Sequence, residues 1–328
     1  MIRVVALLAA ILASVGLAAC GGDGAEPGAP QGATLVLDFQ PNAVHAGIYA
    51  ALAEGYYRDE GVDLDVQQPS ASTDAPKLLA AGRAQFAILD IHDLAIARER
   101  GLEVVGVMPI VQLPLAAVIA RDRAEVHTPA DLAGKTVGVT GLPSDDAVLD
   151  SVLAAGGVDP SSVHRVTIGF NAVADLRAGK LDAATAFWNA EGVTLERDGV
   201  PIREFRVNRY GAPRYPELVL CTTAKLARQD PALVKSVREA TAKGYLIAAH
   251  DPSRALSSLL GDTTGLDPDE QRSELHELDS AAAFVPAGRF LPAPLIKWSR
   301  WEVAHGIVDS RPSLRAFGLQ PDIRVLGG

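Results

Sequence analysis

The chain has 328 residues, of which 48% are hydrophobic and 21% charged, enough for one large domain or two medium ones with a sizeable core. Its formal net charge of −10 argues against a nucleic-acid partner. Only Cys20 and Cys221 are available for pairing, so a disulfide scaffold is excluded and stability has to come from packing.

In residues 1–20, Arg3 precedes an apolar run from Val4 to Ala19 that is interrupted only by Ser14 and Gly16. The run is shorter than the roughly 20 residues of a membrane-spanning helix and has the layout of a signal peptide. It ends in Leu17-Ala18-Ala19-Cys20, which resembles the lipobox of bacterial lipoproteins. That resemblance implies removal of residues 1–19 and a lipid on Cys20 as the new N-terminus, with two acyl signals making the anchoring stable. Residues 20–33 then read as a tether, because the stretch from Gly21 to Pro30 is rich in glycine, proline and alanine and cannot pack. No later stretch reaches the length of a span, so the expected location is extracytoplasmic, held to the cell membrane through the lipid alone.

From Thr34 onward short β-type runs alternate with helical ones, the pattern of an α/β fold. In chain order the strands are expected over 34–37, 62–66, 86–89 and 104–108, with helices over 45–54, 74–81 and 93–100 between them. A second unit opens at Thr128-Pro129-Ala130-Asp131-Leu132, where Thr128 caps, Pro129 suits the first turn and Asp131 complements the dipole. Strands over 136–139, 163–168 and 183–187 follow, with helices over 145–155 and 172–178. A strand over 218–222 leads into an essentially helical C-terminal third. The organisation expected is a first lobe over 34–120, a second over 121–215, and a return to the first over 216–328, with crossings near 119–122 and 212–216 enclosing a cleft. A single doubly wound domain fits the same periodicity.

The stretch Leu37-Asp38-Phe39-Gln40-Pro41-Asn42-Ala43-Val44-His45-Ala46-Gly47-Ile48-Tyr49 is followed by Glu54-Gly55-Tyr56-Tyr57-Arg58-Asp59-Glu60-Gly61. Later come Asp131-Leu132-Ala133-Gly134-Lys135-Thr136-Val137-Gly138-Val139 and Phe187-Trp188-Asn189-Ala190-Glu191-Gly192. In this order they resemble the periplasmic solute-binding proteins related to the yeast pyrimidine-precursor synthase. That superfamily includes receptors for thiamine precursors, riboflavin, aliphatic sulfonates, taurine and nitrate. The resemblance implies a type II periplasmic-binding-protein fold, two α/β lobes joined by a two-segment hinge. It also implies a monomer that closes on a small molecule and presents it to an ABC permease.

The opening Asp-aromatic-X-Pro-Asn and the later Trp-Asn-X-Glu are similar to the subgroup that binds aminopyrimidines, although Phe39 stands where that subgroup commonly has tryptophan. A flat heteroaromatic ring wants an aromatic face, which Phe39, Trp188 or Tyr49 would supply. Its ring nitrogen and amine want a donor and an acceptor side by side, a task for Glu191 with Asn42 or Asn189. Phe39 and Tyr49 read equally well as core residues, and Asn42 as a helix cap. Trp298 and Trp301 read as packing residues. The strand-to-helix turn Gly141-Leu142-Pro143-Ser144-Asp145 offers N–H groups to an anion, with Asp145 competing for the same place. The candidate ligand-binding set is therefore Phe39, Asn42, His45, Tyr49, Asp90, His92, Gly141, Ser144, Trp188, Asn189 and Glu191.

His92 falls at the position of the histidine that the yeast synthase consumes. Ile88, however, stands where that enzyme has its cofactor lysine, and the enzyme's cysteine cluster ahead of Cys221 is missing. The histidines show no metal-like pairing at short spacing, and neither a nucleophile elbow nor a P-loop is present. The expectation is a non-catalytic receptor, without cofactor or metal, for a hydroxymethyl- or aminomethyl-pyrimidine. A receptor for a sulfonate, taurine or riboflavin and a single-turnover synthase using His92 are the alternatives.

Overall fold

The structure is a computed structural model and describes residues 29–122 and 125–318; the expected signal segment 1–19, Cys20 and the first part of the expected tether lie outside the described residues. Its strands are β1 (Gln31–Val36), β2 (Val62–Gln67), β3 (Phe86–Asp90), β4 (Val104–Pro109) and β5 (Ala116–Arg121). They continue with β6 (Thr136–Val139), β7 (His164–Thr167), β8 (Ala183–Phe187), β9 (Ile202–Arg206) and β10 (Leu218–Thr223).

These strands form a first sheet in the order β2-β1-β3-β10-β4 and a second in the order β7-β6-β8-β5-β9. Each sheet has a parallel group made by strand-helix-strand connections: β1 with β2 and β3, and β6 with β7 and β8. Each is completed by an antiparallel strand that arrives from the other lobe. β10 enters the first sheet between β3 and β4, and β5 enters the second between β8 and β9. This exchange of strands is the type II periplasmic-binding-protein arrangement, with the chain crossing over residues 110–115 and again over 207–217.

Two expected boundaries move. The first crossing precedes the expected one near residue 120, because Ala116–Arg121 pairs with β8 and β9. Residues Ala117 to Ala120 are wholly buried, so the run has no polar alternation to say which sheet it joins. The expected tether is shorter than 20–33, since Gln31, Gly32 and Ala33 already pair with Val62, Asp63 and Leu64.

Helices α1 (Ala46–Ala53), α2 (Tyr56–Asp59), α3 (Asp74–Ala80) and α4 (Ile91–Glu99) belong to the first sheet. The second carries α5 (Pro143–Ala155), α6 (Ala172–Ala178) and α7 (Val193–Arg197). The return segment adds α8 (Ala224–Gln229), α9 (Pro231–His250), α10 (Pro252–Asp262), α11 (Pro268–Ser280) and α12 (Pro292–Ala304). Three of these start on Asp-Pro: Asp230, Asp251 and Asp267 accept hydrogen bonds from the N–H groups of Leu233, Arg254 and Asp269. The following proline sits where its missing N–H costs nothing. The expected helix start at Thr128 is a short 3-10 turn, Pro129–Leu132, closed by a capping box with Asp131.

Helix α9 lies directly on α1. A Cβ at Gly244 would stand 1.9 Å from the Gly47 carbonyl oxygen, and one at Gly47 would meet the Tyr245 ring at 2.6 Å. Two glycines thus let the backbones touch and hold α1 at the end of β1, where the cleft begins. Between β3 and β4 in the first sheet, β10 is buried on both faces, and burial pushes the Cys221 thiol up, which leaves it protonated and unreactive.

Candidate functional site

Between the two sheets, outside the carboxyl ends of their parallel strands, lies a cleft with about 970 Å³ of open space. The first lobe lines it with Asp38, Phe39 and Asn42 after β1, and with Asp90 and Asp93 at the β3–α4 junction. The second lobe contributes Thr140, Ser144 and Asp145 at the start of α5, Phe170 after β7, and Thr185, Phe187 and Glu191 at the end of β8.

On the first-lobe side, Asn42 is both wall and cap. Its Oδ1 accepts from the Val44 N–H (3.0 Å), while its own N–H donates to His45 Nδ1 (3.2 Å). With Nδ1 accepting, the ring hydrogen sits on Nε2 and donates to Asp38 Oδ1 (2.9 Å). His45 is wholly buried and does not line the cleft; it braces Asp38 and Asn42 from behind.

Phe39 faces Phe170 of the other lobe edge to face, with ring centroids 4.6 Å apart and planes at 90°. The contact joins the two lobes directly. Phe170 is a site residue that sequence reasoning missed; its position directly after a strand of the parallel group was the available signal.

On the second-lobe side a π-helical turn, Trp188–Gly192, follows β8 and turns Glu191 back, so that its Oε2 accepts from the Phe187 N–H (3.0 Å). Burial, offset in part by that hydrogen bond and reinforced by the carboxylates of Asp145 and Asp38, pushes Glu191 up to about 7. Burial likewise raises Asp93 and Asp145. Asp145 Oδ2 accepts from the Thr140 N–H (2.6 Å) and from the Thr140 hydroxyl. The expected anion site at Gly141 and Ser144 therefore has an internal carboxylate beside it. Ser144 lines the cleft, whereas Gly141 does not.

The cleft lining contains five carboxyl side chains, Asp38, Asp90, Asp93, Asp145 and Glu191, and no lysine, arginine or histidine among the described residues. The lining thus offers an anionic solute no positively charged side chain. A neutral or cationic solute rich in N–H donors would meet acceptors on both walls.

Besides His45 and Gly141, four more expected ligand residues stand outside the lining. Trp188 is buried in the hinge, its Nε1 donating to the Pro114 carbonyl (3.0 Å) and the Arg206 guanidinium lying 4.2 Å from its ring centroid. Tyr49 is buried on α1, and burial together with Asp262 pushes its hydroxyl up to about 12. Asn189 is wholly buried and outside the lining, with no protein partner for either amide atom.

His92 is wholly buried on α4 and lies behind the cleft wall, packed against Tyr215, Trp298 and Trp301. Its Nδ1 meets Glu302 Oε1 in a short contact. Burial, which opposes the charged ring, is outweighed by the Glu302, Asp90 and Glu217 carboxylates, and His92 is pushed up to about 10. Trp298 and Trp301 are packing residues around it.

The profile of the family described as NMT1/THI5 like matches residues 42–255 of the chain. The chain is similar to the formylaminopyrimidine-binding protein of Halalkalibacterium halodurans, 34% identical over 260 residues that cover 79% of this chain and 78% of the relative. It is also similar to the 4-amino-5-hydroxymethyl-2-methylpyrimidine phosphate synthase of Legionella pneumophila, 24% identical over 229 residues, 69% of this chain and 72% of the relative. Its fold matches that of the alkanesulfonate-binding protein SsuA from Xanthomonas axonopodis pv. citri, solved with MOPS bound, at a TM-score of 0.68 and 17% identity over 87% of this chain and 95% of that one.

Proposed function

The chain belongs to the NMT1/THI5-like family, and from that premise we propose that it is an extracytoplasmic receptor for a small aminopyrimidine of the thiamine-precursor type. It delivers this solute to an ABC permease. The lobes hinge on residues 110–115 and 207–217 and close on the solute, whose contacts with both walls shift the open-closed equilibrium. The observation that carries the reading is the cleft's composition. The aromatic side chains of Phe39, Phe170 and Phe187 suit a flat ring, and a lining whose charged groups are all carboxyls suits the N–H donors of an aminopyrimidine. The same lining disfavours sulfonate and nitrate. The placement of His92 behind the wall supports a receptor over a synthase that consumes that ring.

Calorimetry on the purified protein tests this. Formylaminopyrimidine and its aminomethyl analogue should bind with micromolar or better affinity, and an alkanesulfonate should give no heat. Sulfonate binding without pyrimidine binding would overturn the assignment.

Anchoring through Cys20 is part of the same proposal, since a tethered receptor has a raised effective concentration beside its permease. Cys20→Ser should move the protein from the membrane fraction to the soluble one and leave the affinity for solute unaltered. Retention of the variant in membranes would refute the lipid anchor.

A further inference from the structure

Behind the cleft wall, three groups from distant parts of the chain converge. Asp90 ends β3, His92 opens α4, and Glu217 ends the second crossing. Each offers a ligand atom, and these atoms all lie within 4.8 Å of one another. His92 and Glu217 are wholly buried, and His92 Nε2 and Glu217 Oε1 have no protein hydrogen-bond partner. Orphaned polar atoms in such a place are costly, and a cation seated between them would satisfy both.

The surroundings are those of a ligating imidazole. Glu302 and the Trp298 Nε1–H (3.3 Å) both engage His92 Nδ1, so Nε2 is the ring nitrogen left without a protein partner, and a metal ion would bind there by displacing the proton that the neighbouring carboxylates otherwise hold on the ring. A carboxylate behind the remote ring nitrogen is the usual outer partner of a metal-bound histidine. Glu217 is held in the same way: its Oε2 accepts from the N–H groups of Leu115 and Ala116 (3.0 Å for Ala116), which keeps Oε1 available.

We propose that Asp90, His92 and Glu217 form a binding site for one divalent transition-metal ion of the zinc class at the hinge of the receptor. One imidazole nitrogen and two carboxylate oxygens suit zinc or a neighbouring ion better than magnesium or calcium. Tetrahedral ligand bonds of about 2.1 Å put donor atoms about 3.4 Å apart, so a pair as wide as 4.8 Å has to close by about 1.4 Å through rotation of its side chains. Asp90 also lines the cleft, so the site adjoins the space the solute would occupy. Glu217 belongs to the second crossing and holds N–H groups at the end of the first, so the ion ties both interlobe segments to the first sheet. The site stands whichever solute the cleft takes.

The test reads metal, not solute. After incubation with zinc chloride and gel filtration, the full-length protein should retain one zinc per chain by elemental analysis, and its Tm should rise by several degrees relative to a chelator-treated sample. Retention should be lost in His92→Gln and weakened at least 100-fold in Asp90→Asn, which preserves the helix cap. Glu302→Gln should weaken it by about 10- to 100-fold, as removal of an outer partner does. Cobalt(II) gives a measurement on the unmutated protein alone: it should show ligand-field absorption and quench the fluorescence of Trp298 and Trp301, whose rings pack against His92. Failure to retain zinc, equal retention by His92→Gln, or cobalt addition without quenching would each overturn the site and leave a protonated imidazole as the cluster's only cation.

Discussion

Glu191→Ala is expected to weaken aminopyrimidine binding by about 100-fold, or ~2.7 kcal/mol, while Glu191→Gln retains binding within about tenfold and loses its pH dependence. The reason is the state of the carboxyl. Lifted to about 7 from its ordinary 4.5, Glu191 keeps its proton up to near neutrality. A protonated carboxyl presents an O–H to a ring nitrogen and a carbonyl oxygen to the adjacent amine, and that oxygen can still take the Phe187 N–H. The bound pair therefore holds one proton, and the sign follows. Below the pKa the proton is already in place; as pH rises through about 7 it has to be taken up on binding, so affinity falls by up to about tenfold per pH unit. A glutamine amide offers the same donor and acceptor with no proton to lose. Titration calorimetry from pH 6 to 9 on the three proteins measures this; a flat profile in the wild type, or a Gln variant as weak as the Ala variant, would show that Glu191 does not read the ring in this way.

Trp298→Ala should cost about 4 kcal/mol of folding stability, among the larger single-residue effects available in such a core. The indole is wholly buried on α12, edge-on to Phe317 with ring centroids 5.7 Å apart and 6.3 Å from the His92 ring. Its loss leaves a cavity between α12 and α4 that rigid helices cannot collapse to fill, and it admits water to the polar cluster. Urea unfolding should show the midpoint falling at an unchanged m-value, and a loss below about 1.5 kcal/mol would mean that the surroundings close over the gap. Trp298→Phe, which refills most of the volume, should recover more than half of the loss.

Much of the lobe architecture could be read from the chain because its strands and helices differ in period, and the turn at Thr128 and the strand at Leu218 announce themselves locally. The membership of Ala116–Arg121 could not be read. An apolar run buried on both faces has no register signal, and its partners lie some 70 to 90 residues on, as in Ala117 with Ala186 and Arg206. The site divides along the same line. Asn42, Phe39 and Glu191 were legible because a polar or aromatic residue at the carboxyl end of a parallel strand faces the cleft. Trp188 and His92 carry the same residue types within two positions of such ends, His45 and Tyr49 share the segment that follows β1, and only the direction of each side chain separates wall from core. The cluster of His92 with Glu217 and Glu302 was invisible for a simpler reason: no spacing rule joins residues more than 100 positions apart.

In the transport role proposed above, the edge-to-face contact between Phe39 and Phe170 would have a kinetic meaning for the permease. Two rings of the protein itself contribute about 1 kcal/mol to the shut conformation, whatever the cleft contains, and each such kcal/mol raises the shut fraction of unloaded molecules about fivefold. A docking partner that senses outline alone would then spend part of its time engaged with unloaded carriers. Productive traffic requires either that this fraction stay small against the loaded one or that the partner also probe the cargo. The benefit comes at the other end of the cycle: the same two rings must part before cargo leaves, which lengthens the dwell of a loaded carrier between capture and hand-over.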